Sequence, residues 1–366
     1  MSIYKLSFLC RKKEVLLRRS HFSMRIRDLD LLRGLAILGV LLRHSAWDNR
    51  FTRTGWAGVD LFFVLSGFLV SGLLFKEYKE YGKARIGRFL VRRGFKIYPT
   101  FYLFLLISVV FGSGWFHVHY KTHNIVSEAL FLQSYLPGCF IHTWSLAIEE
   151  HFYILLSLFI WLAIKFGWLG KQRLMISILI GSIVLVGLMR LQYVYVRRDK
   201  DFVPLFYTHL RMDGLLLGVL VAYLVYFRAG FVEFLKKHSV KFSLLAISMI
   251  VPIFILKPGG FFMNTIGFNE MHIGFALLVS LAGTSGLVFP FRGHWVWKPI
   301  LRVLALIGVY SYSIYVWHLF FLSLVLKLGL SSSQVILALL AEIVGGVLIS
   351  LLIEQLFLRI RDRYFS

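Results

Sequence analysis

Long apolar stretches dominate this chain and restrict it to a narrow class of folds. A helix needs about 20 mainly apolar residues to cross the hydrocarbon core of a bilayer. This criterion predicts ten spans, at residues 29–46, 56–75, 97–116, 143–164, 174–195, 204–227, 240–256, 271–291, 303–326 and 334–357. Of the 366 residues, 58% are hydrophobic and only 16% are charged, which excludes disorder, a disulfide scaffold and almost any soluble fold. We therefore expect an all-α, polytopic membrane bundle of about ten transmembrane helices.

The positive charges predict the orientation of this bundle. The chain carries 41 Lys and Arg against 18 Asp and Glu, a formal net charge of +23. If the N-terminus lies inside, 29 of the basic residues fall in inner segments and 9 in outer segments. This excess indicates that both termini are cytoplasmic. Basic loops on the anionic inner leaflet also explain the net charge, so we expect no nucleic-acid partner.

Three regions are predicted from the same pattern: a basic cytoplasmic arm (1–24), a membrane domain (25–360) and a cytoplasmic tail (361–366). The apolar stretch in the arm is too short for a signal peptide. Cys10 and Cys139 are predicted on opposite sides of the membrane and therefore cannot pair. No metal-ligand spacing is present, so neither a metal nor a permanently bound cofactor is expected.

Ionisable residues inside the predicted spans point to a functional site, because they are costly in a bilayer. Arg33 and His44 lie eleven residues apart in the first span. They therefore share one helix face and are about 16 Å apart along the helix axis. Four other spans bring further polar side chains to the outer half of the membrane: Asp60, Glu149, Glu150, Arg211, Asp213, Tyr315 and His318. We expect a polar chamber that opens outward, with snorkelling and purely structural ion pairs as the alternatives.

His44 is the best candidate for chemistry in this chamber. An imidazole removes a hydroxyl proton near neutral pH, and a carboxylate such as Asp60 can fix its tautomer. We predict that His44, Asp60 and Glu149 form the catalytic group. The predicted supporting group consists of Arg33, Glu150, Arg211, Asp213, Tyr315 and His318. No nucleophile elbow accompanies them, so a serine-hydrolase mechanism is not indicated.

A basic loop between the second and third spans is a candidate donor site. It contains four arginines, Arg85, Arg88, Arg92 and Arg93. The use of Arg rather than Lys favours bidentate phosphate recognition, and a diphosphate-bearing donor such as coenzyme A would suit it. An ordinary positive-inside anchor is the alternative. No Walker A or GxGxxG loop is present to indicate a nucleoside triphosphate or NAD.

Six motifs, in order, resemble the acyltransferase family 3 of integral membrane acyltransferases. They are LDLLRGLAILGVLLRH, GVDLFFVLSGFLVSGLL, RFLVRRGFKIYPTFY, WSLAIEEHFYILL, RMDGLLLG and GVYSYSIYVWHL. The resemblance implies a ten-helix enzyme that transfers an acyl group, usually acetyl, from cytoplasmic acyl-CoA. It also implies that His44 is catalytic, that Arg33 is its essential partner, and that the loop containing Arg85–Arg93 is linked to the donor.

The resemblance further implies the reaction class and the partners. We expect transfer of a group other than an amino-acyl group, with acyl-CoA as co-substrate and membrane lipids as surroundings. The expected acceptor is a hydroxyl of an extracytoplasmic or lipid-linked glycan, such as lipopolysaccharide or exopolysaccharide, at a bacterial inner membrane. Direct transfer and an acyl-histidine intermediate both remain open. A secondary transporter or flippase that uses the buried charges as a path is the alternative function.

Overall fold

The computed structural model describes residues 28–45, 47, 49–114, 118–197, 205–256, 259–284, 295, 297–327 and 335–365. Within these ranges the chain is helical and contains no strand. The predicted basic arm and Cys10 lie outside the described residues.

The helices are numbered here in chain order. The first half of the chain forms α1 (28–44), α2 (Arg50–Arg53), α3 (Ala57–Tyr81), α4 (Ile86–Gly114), α5 (Thr122–Ala129), α6 (Trp144–Lys165) and α7 (Gln172–Val196). The second half forms α8 (Thr208–Arg211), α9 (Asp213–Phe227), α10 (Phe231–Lys237), α11 (Ser239–Ile250), α12 (Pro252–Ile255), α13 (Phe268–Thr284), α14 (Trp297–Val309), α15 (Ser311–Lys327), α16 (Val335–Ile349) and α17 (Gln355–Tyr364). A short 3₁₀-helix, Thr54–Trp56, precedes α3. Two short π-helices, Met263–Gly267 and Ser350–Glu354, precede α13 and α17.

Several of these helices are long and apolar enough to cross a membrane. Six continuous helical segments qualify: Arg50–Tyr81, Ile86–Gly112, Trp144–Lys165, Gln172–Val196, Met263–Thr284 and Val335–Tyr364. Two bent pairs, α9 with α10 and α14 with α15, raise the number to 8 if each pair is one span. An all-helical, multi-pass membrane protein is thus confirmed, with 6 to 8 candidate spans among the described residues. The count of ten and the cytoplasmic termini stay predictions.

The predicted ninth span differs from the structure. The stretch 303–326 is not one straight helix, because α14 and α15 meet at an angle of 81°. Close contact between α14 and α1 accompanies the bend. A Cβ on Gly34 would lie 2.1 Å from the carbonyl oxygen of Leu304, and one on Gly308 would lie 1.8 Å from that of Asp30. The two glycines therefore allow the backbones of α1 and α14 to touch, so that α14 crosses α1.

The interior and the outer surface of the bundle differ in their chemistry. Large apolar side chains such as Phe63, Phe101 and Trp317 are fully buried between helices. Leucines such as Leu188 and Leu352 are exposed on the outside of the bundle. This pattern suits a protein surrounded by lipid, because lipid tails are as apolar as leucine. Polar side chains are also buried in the interior, and there they meet in separate groups.

Candidate active site

A cleft lies between α1, α3, α4, α6 and the bend that joins α14 to α15. Its polar lining residues are Arg33, Ser66, Arg93, Lys96, Ser145, Glu149, Ser311, Tyr312 and Tyr315. The structure thus brings together four residues that were predicted from the sequence: Arg33, Arg93, Glu149 and Tyr315. The lining contains three cations and one carboxylate, so its charge favours an anionic ligand.

Glu149 and Ser145 face the cleft together because they are one helical turn apart on α6. The hydroxyl of Ser66 donates to Glu149 Oε1 at 3.1 Å, and that of Tyr153 donates to Oε2 at 2.7 Å. Arg93 donates in turn to the Tyr153 hydroxyl and lies 4.4 Å above the centroid of its ring. Two hydroxyl donors therefore hold the carboxylate, and Tyr153 fixes the guanidinium of Arg93 at the cleft.

Lys96 is the third cation of the cleft and was not among the predicted site residues. It forms a salt bridge with Glu354, a carboxylate that is almost fully buried. Glu354 also accepts hydrogen bonds from Ser313 at 2.6 Å and from Ser350 at 2.8 Å. The π-helix Ser350–Glu354 presents this carboxylate, and π-helices often occur at functional sites. The sequence does contain a signal for Glu354, because this residue is an ionisable group inside the predicted span 334–357.

Two histidines meet beside the cleft. Nδ1 of His44 lies 3.0 Å from the carbonyl oxygen of Val40, and Nδ1 of His318 lies 2.6 Å from that of Tyr315. A carbonyl oxygen can only accept, so both rings carry a proton on Nδ1. Nε2 of His318 then faces Nδ1 of His44 at 3.3 Å. In a neutral His44 ring, Nε2 is therefore the nitrogen with a free lone pair, which is the form that a general base requires.

His142 extends this pair and was also missed from the sequence. Its ring centroid lies 4.9 Å from that of His318, and its Nε2 donates to the carbonyl oxygen of Val316 at 3.1 Å. Burial lowers the pKa of His142, which precedes α6, to about 3, so the ring is neutral near neutral pH. Tyr315 donates to the His142 carbonyl at 2.6 Å and also lines the cleft. Tyr315 therefore joins the three histidines, His44, His142 and His318, to the cleft.

A second group of charged residues, here called the charge cluster, is buried among α3, α7, α8, α9 and α13. It consists of Asp60, Arg190, Arg211, Asp213 and His272. Arg190 pairs with Asp213 at 2.8 Å, and Arg211 pairs with Asp60 at 2.7 Å. The two ring nitrogens of His272 lie 3.0 Å from Asp213 and 2.8 Å from Asp60. Both nitrogens face carboxylate oxygens, so His272 links the two ion pairs through hydrogen bonds.

The charge cluster contains three of the residues that were predicted for the polar chamber, Asp60, Arg211 and Asp213, and none of the three lines the cleft. Asp60 was expected beside His44, but its hydrogen bonds among the described residues go to Arg211 and His272. Asp213, another predicted supporting residue, pairs with Arg190. The sequence predicts the depth of a residue in a span, but depth does not determine which neighbouring helix the side chain faces. That direction depends on the rotation of each helix about its own axis.

Two members of the charge cluster were missed from the sequence. Arg190 and His272 are both fully buried, and each lies inside a predicted span, 174–195 and 271–291. An ionisable residue within an apolar stretch is the signal that identifies both of them.

The predicted donor-binding arginines are divided in a similar way. Arg93 lines the cleft, whereas Arg88 and Arg92 donate to the carbonyl oxygen of Phe365 at 3.1 and 2.7 Å. Arg92 also forms a salt bridge of 3.2 Å with Asp362. Two of the four arginines thus contact the C-terminal end of α17 and the residue that follows it, on the outside of α4.

Two further predicted residues also lie outside the lining of the cleft. Arg85 precedes α4, and its backbone N–H donates to Glu77 at 3.1 Å. Glu150 accepts a hydrogen bond of 3.0 Å from the hydroxyl of Tyr98 on α4. It follows Glu149 directly and therefore points to a different side of α6.

Comparison with known proteins gives one family and a set of relatives. A family profile described as an acyltransferase domain matches residues 26–356. O-acetyltransferase OatA of Staphylococcus aureus is 28% identical over 318 residues, which cover 79% of this chain and 49% of that protein. Peptidoglycan O-acetyltransferase OatA of Listeria monocytogenes is 26% identical over 336 residues, covering 82% and 50%. The chain thus spans about half the length of these relatives. No solved structure matches the chain.

Proposed function

Because the chain belongs to the acyltransferase family 3 of membrane acyltransferases, we propose that it transfers an acetyl group from acetyl-CoA to a glycan hydroxyl. The names of its relatives support O-acetyl transfer, and one of those names specifies peptidoglycan. We therefore propose an envelope glycan of the peptidoglycan type as the acceptor. The observation that carries the proposal is a cation-lined cleft beside a histidine whose Nε2 is free to accept a proton.

The cations of the cleft support a phosphate-bearing donor. Arg33, Arg93 and Lys96 line it, and each is already oriented by a neighbouring group. One nitrogen of the Arg33 guanidinium forms a salt bridge of 2.8 Å with Asp30. The other N–H groups of this guanidinium are available to a ligand. In this proposal these three residues, rather than Arg88 and Arg92, meet the phosphates nearest the thioester.

The proposed chemical step uses His44 as a general base. The acceptor hydroxyl oxygen attacks the thioester carbonyl carbon while its proton passes to His44 Nε2. The C–S bond breaks as the new C–O ester forms, and the thiolate takes the proton from His44 and leaves as free CoA. The carbonyl of Val40 has the orienting role that was predicted for Asp60, since it accepts the hydrogen bond of the Nδ1 proton. We propose that the carboxylate of Glu149, which lines the cleft, offsets positive charge that develops at the site during the reaction.

Substitution of His44 tests this function. The His44→Ala protein, purified in phosphatidylcholine nanodiscs, should transfer radiolabelled acetyl from acetyl-CoA to peptidoglycan fragments about 10²–10⁴-fold more slowly, because the base is lost. The control is His119→Ala, which removes an exposed imidazole from the segment before α5 and should retain the activity. A His44→Ala protein with normal transfer would exclude His44 as the base. A wild-type protein that labels no glycan and releases no CoA would contradict the proposed reaction.

A further inference from the structure

A groove lies along the contact between α1 and α14. It is lined by Asp30, Leu31, Lys298, Leu301, Arg302, Ala305, Leu306 and Val309. Val309 also lines the cleft described above. The groove and the cleft are therefore neighbours that share part of one wall.

The charged face of α14 belongs to this groove. Lys298 and Arg302 are one helical turn apart, and Ala305 and Val309 continue the same face. Both cationic side chains are exposed, and neither has a salt-bridge partner among the described residues. Two adjacent cations without carboxylate partners form an attractive site for a phosphate group.

The carboxylate of the groove does not cancel this charge. Asp30 lies beside Gly308 and forms its salt bridge with Arg33, which lines the cleft. The Asp30–Arg33 pair thus connects the wall of the groove to the wall of the cleft. Positive charge therefore continues from Lys298 and Arg302, past this pair, to the cations of the cleft.

We propose that Lys298 and Arg302 bind the distal phosphate of the acyl-CoA donor, which is carried on the ribose of its nucleotide. This inference rests on the proposed function, and it adds a donor subsite outside the cleft. Lys298 and Val309 are eleven residues apart, which is about 16 Å along α14. A donor that lies along this face places its ribose phosphate at the two cations, and its diphosphate and pantetheine arm pass Val309 into the cleft.

The phosphate of an anionic lipid is the competing ligand. The tryptophans Trp295 and Trp297 are exposed beside Lys298, and such residues are common where a helix lies at a membrane surface. The wall shared at Val309 favours the donor, because the thioester of the donor must reach the cleft. A lipid headgroup could bind the two cations without any access to the cleft.

A binding experiment separates the donor from the lipid and does not depend on acetyl transfer. Unlabelled CoA and unlabelled pantetheine compete with radiolabelled acetyl-CoA for the protein in phosphatidylcholine nanodiscs. Wild type should bind CoA more tightly than pantetheine, which has no phosphate. In the double variant Lys298→Gln/Arg302→Gln this preference should fall about tenfold, because two charge-assisted contacts are lost. The affinity for pantetheine itself should be retained, which also confirms that the variant is folded.

Two control proteins sharpen this measurement. Lys237→Gln/Lys241→Gln removes two exposed lysines at the same spacing from α10 and α11, and it should keep the wild-type preference for CoA. Lys298→Arg/Arg302→Lys conserves the charge and should restore most of the preference.

The inference is overturned if Lys298→Gln/Arg302→Gln prefers CoA as strongly as wild type does. It is also overturned if the variant loses CoA and pantetheine equally and only in nanodiscs that contain phosphatidylglycerol, a result that identifies a lipid site. A wild type that binds no CoA contradicts the donor of the proposed function as well. If CoA binds as expected but no glycan is acetylated, the proposed reaction fails while the subsite stands.

Discussion

Adjacent residues of this protein have different surroundings, and this separates candidates that look equivalent in the sequence. Glu149 faces the cleft and accepts hydrogen bonds from Ser66 and Tyr153, whereas Glu150 accepts one from Tyr98 on α4. Consecutive residues of an α-helix point about 100° apart, so two adjacent glutamates cannot share one small site. A pair of like residues in a motif therefore has to be assigned residue by residue.

Arg92 and Arg93 provide a matched test at this scale. Arg93→Gln should raise the KM for acetyl-CoA about tenfold, because a charged contact to the donor phosphates is lost at the cleft. Arg92→Gln removes the same charge from the outside of α4, where Arg92 contacts Asp362 and Phe365, and it should change the KM by less than about twofold. Steady-state kinetics at saturating acceptor measures both. A larger effect of Arg92→Gln than of Arg93→Gln on the KM would indicate that the donor phosphates bind Arg88 and Arg92 on the outside of α4.

At the scale of helices, the contact between α1 and α14 positions the cleft. The helix α1 supplies Arg33 to the lining and His44 to the histidine group, so any movement of α1 against α14 displaces both. Gly34 and Gly308 permit this contact because neither carries a side chain. Small residues at helix contacts have the same role in membrane proteins generally.

Gly308→Ala should therefore destabilise the protein. The new Cβ would lie 1.8 Å from the carbonyl oxygen of Asp30, so α1 and α14 must separate. We expect the free energy of unfolding in an SDS titration to fall by about 1–3 kcal/mol. Gly181→Ala on α7 is the control, since no atom lies within 4 Å of its Cβ and alanine is the better helix former there. Equal stability of the two variants would contradict the close contact.

At the scale of the whole molecule, the charge cluster connects helices that are far apart in sequence. Asp60 on α3, Asp213 on α9 and His272 on α13 are joined through hydrogen bonds of 2.8 and 3.0 Å. Arg190 on α7 and Arg211 on α8 complete the cluster at its two ends. Loss of one member leaves an uncompensated charge in the interior. The free-energy cost of that charge exceeds the stabilisation that the intact ion pair contributes.

Asp60→Asn distinguishes this structural role from the catalytic role predicted from the sequence. Neutralising Asp60 leaves Arg211 and His272 facing an uncharged amide, and we expect the free energy of unfolding to fall by about 3 kcal/mol. The SDS titration measures the loss, with Asp362→Asn as the control, because Asp362 is exposed. An Asp60→Asn protein as stable as wild type but inactive would place Asp60 in the catalytic group.

Much of the fold was predictable because apolar length and charge are local properties of the sequence. They predicted a helical, multi-pass membrane protein and the ionisable residues at its interior, although not the bend between α14 and α15. That bend is not a local property, since it accompanies a backbone contact between Gly308 and α1.

By itself the sequence determined that these helices enter a membrane and that polar residues such as His44, Asp60 and Glu149 must be satisfied inside it. The tertiary structure alone decided which partner each residue has: Val40 for His44, Arg211 for Asp60 and Tyr153 for Glu149. The physical reason is that burial cost depends on depth, which follows from position along a span. A hydrogen bond depends on the rotation and packing of two helices, and these are set by contacts between residues remote in the chain.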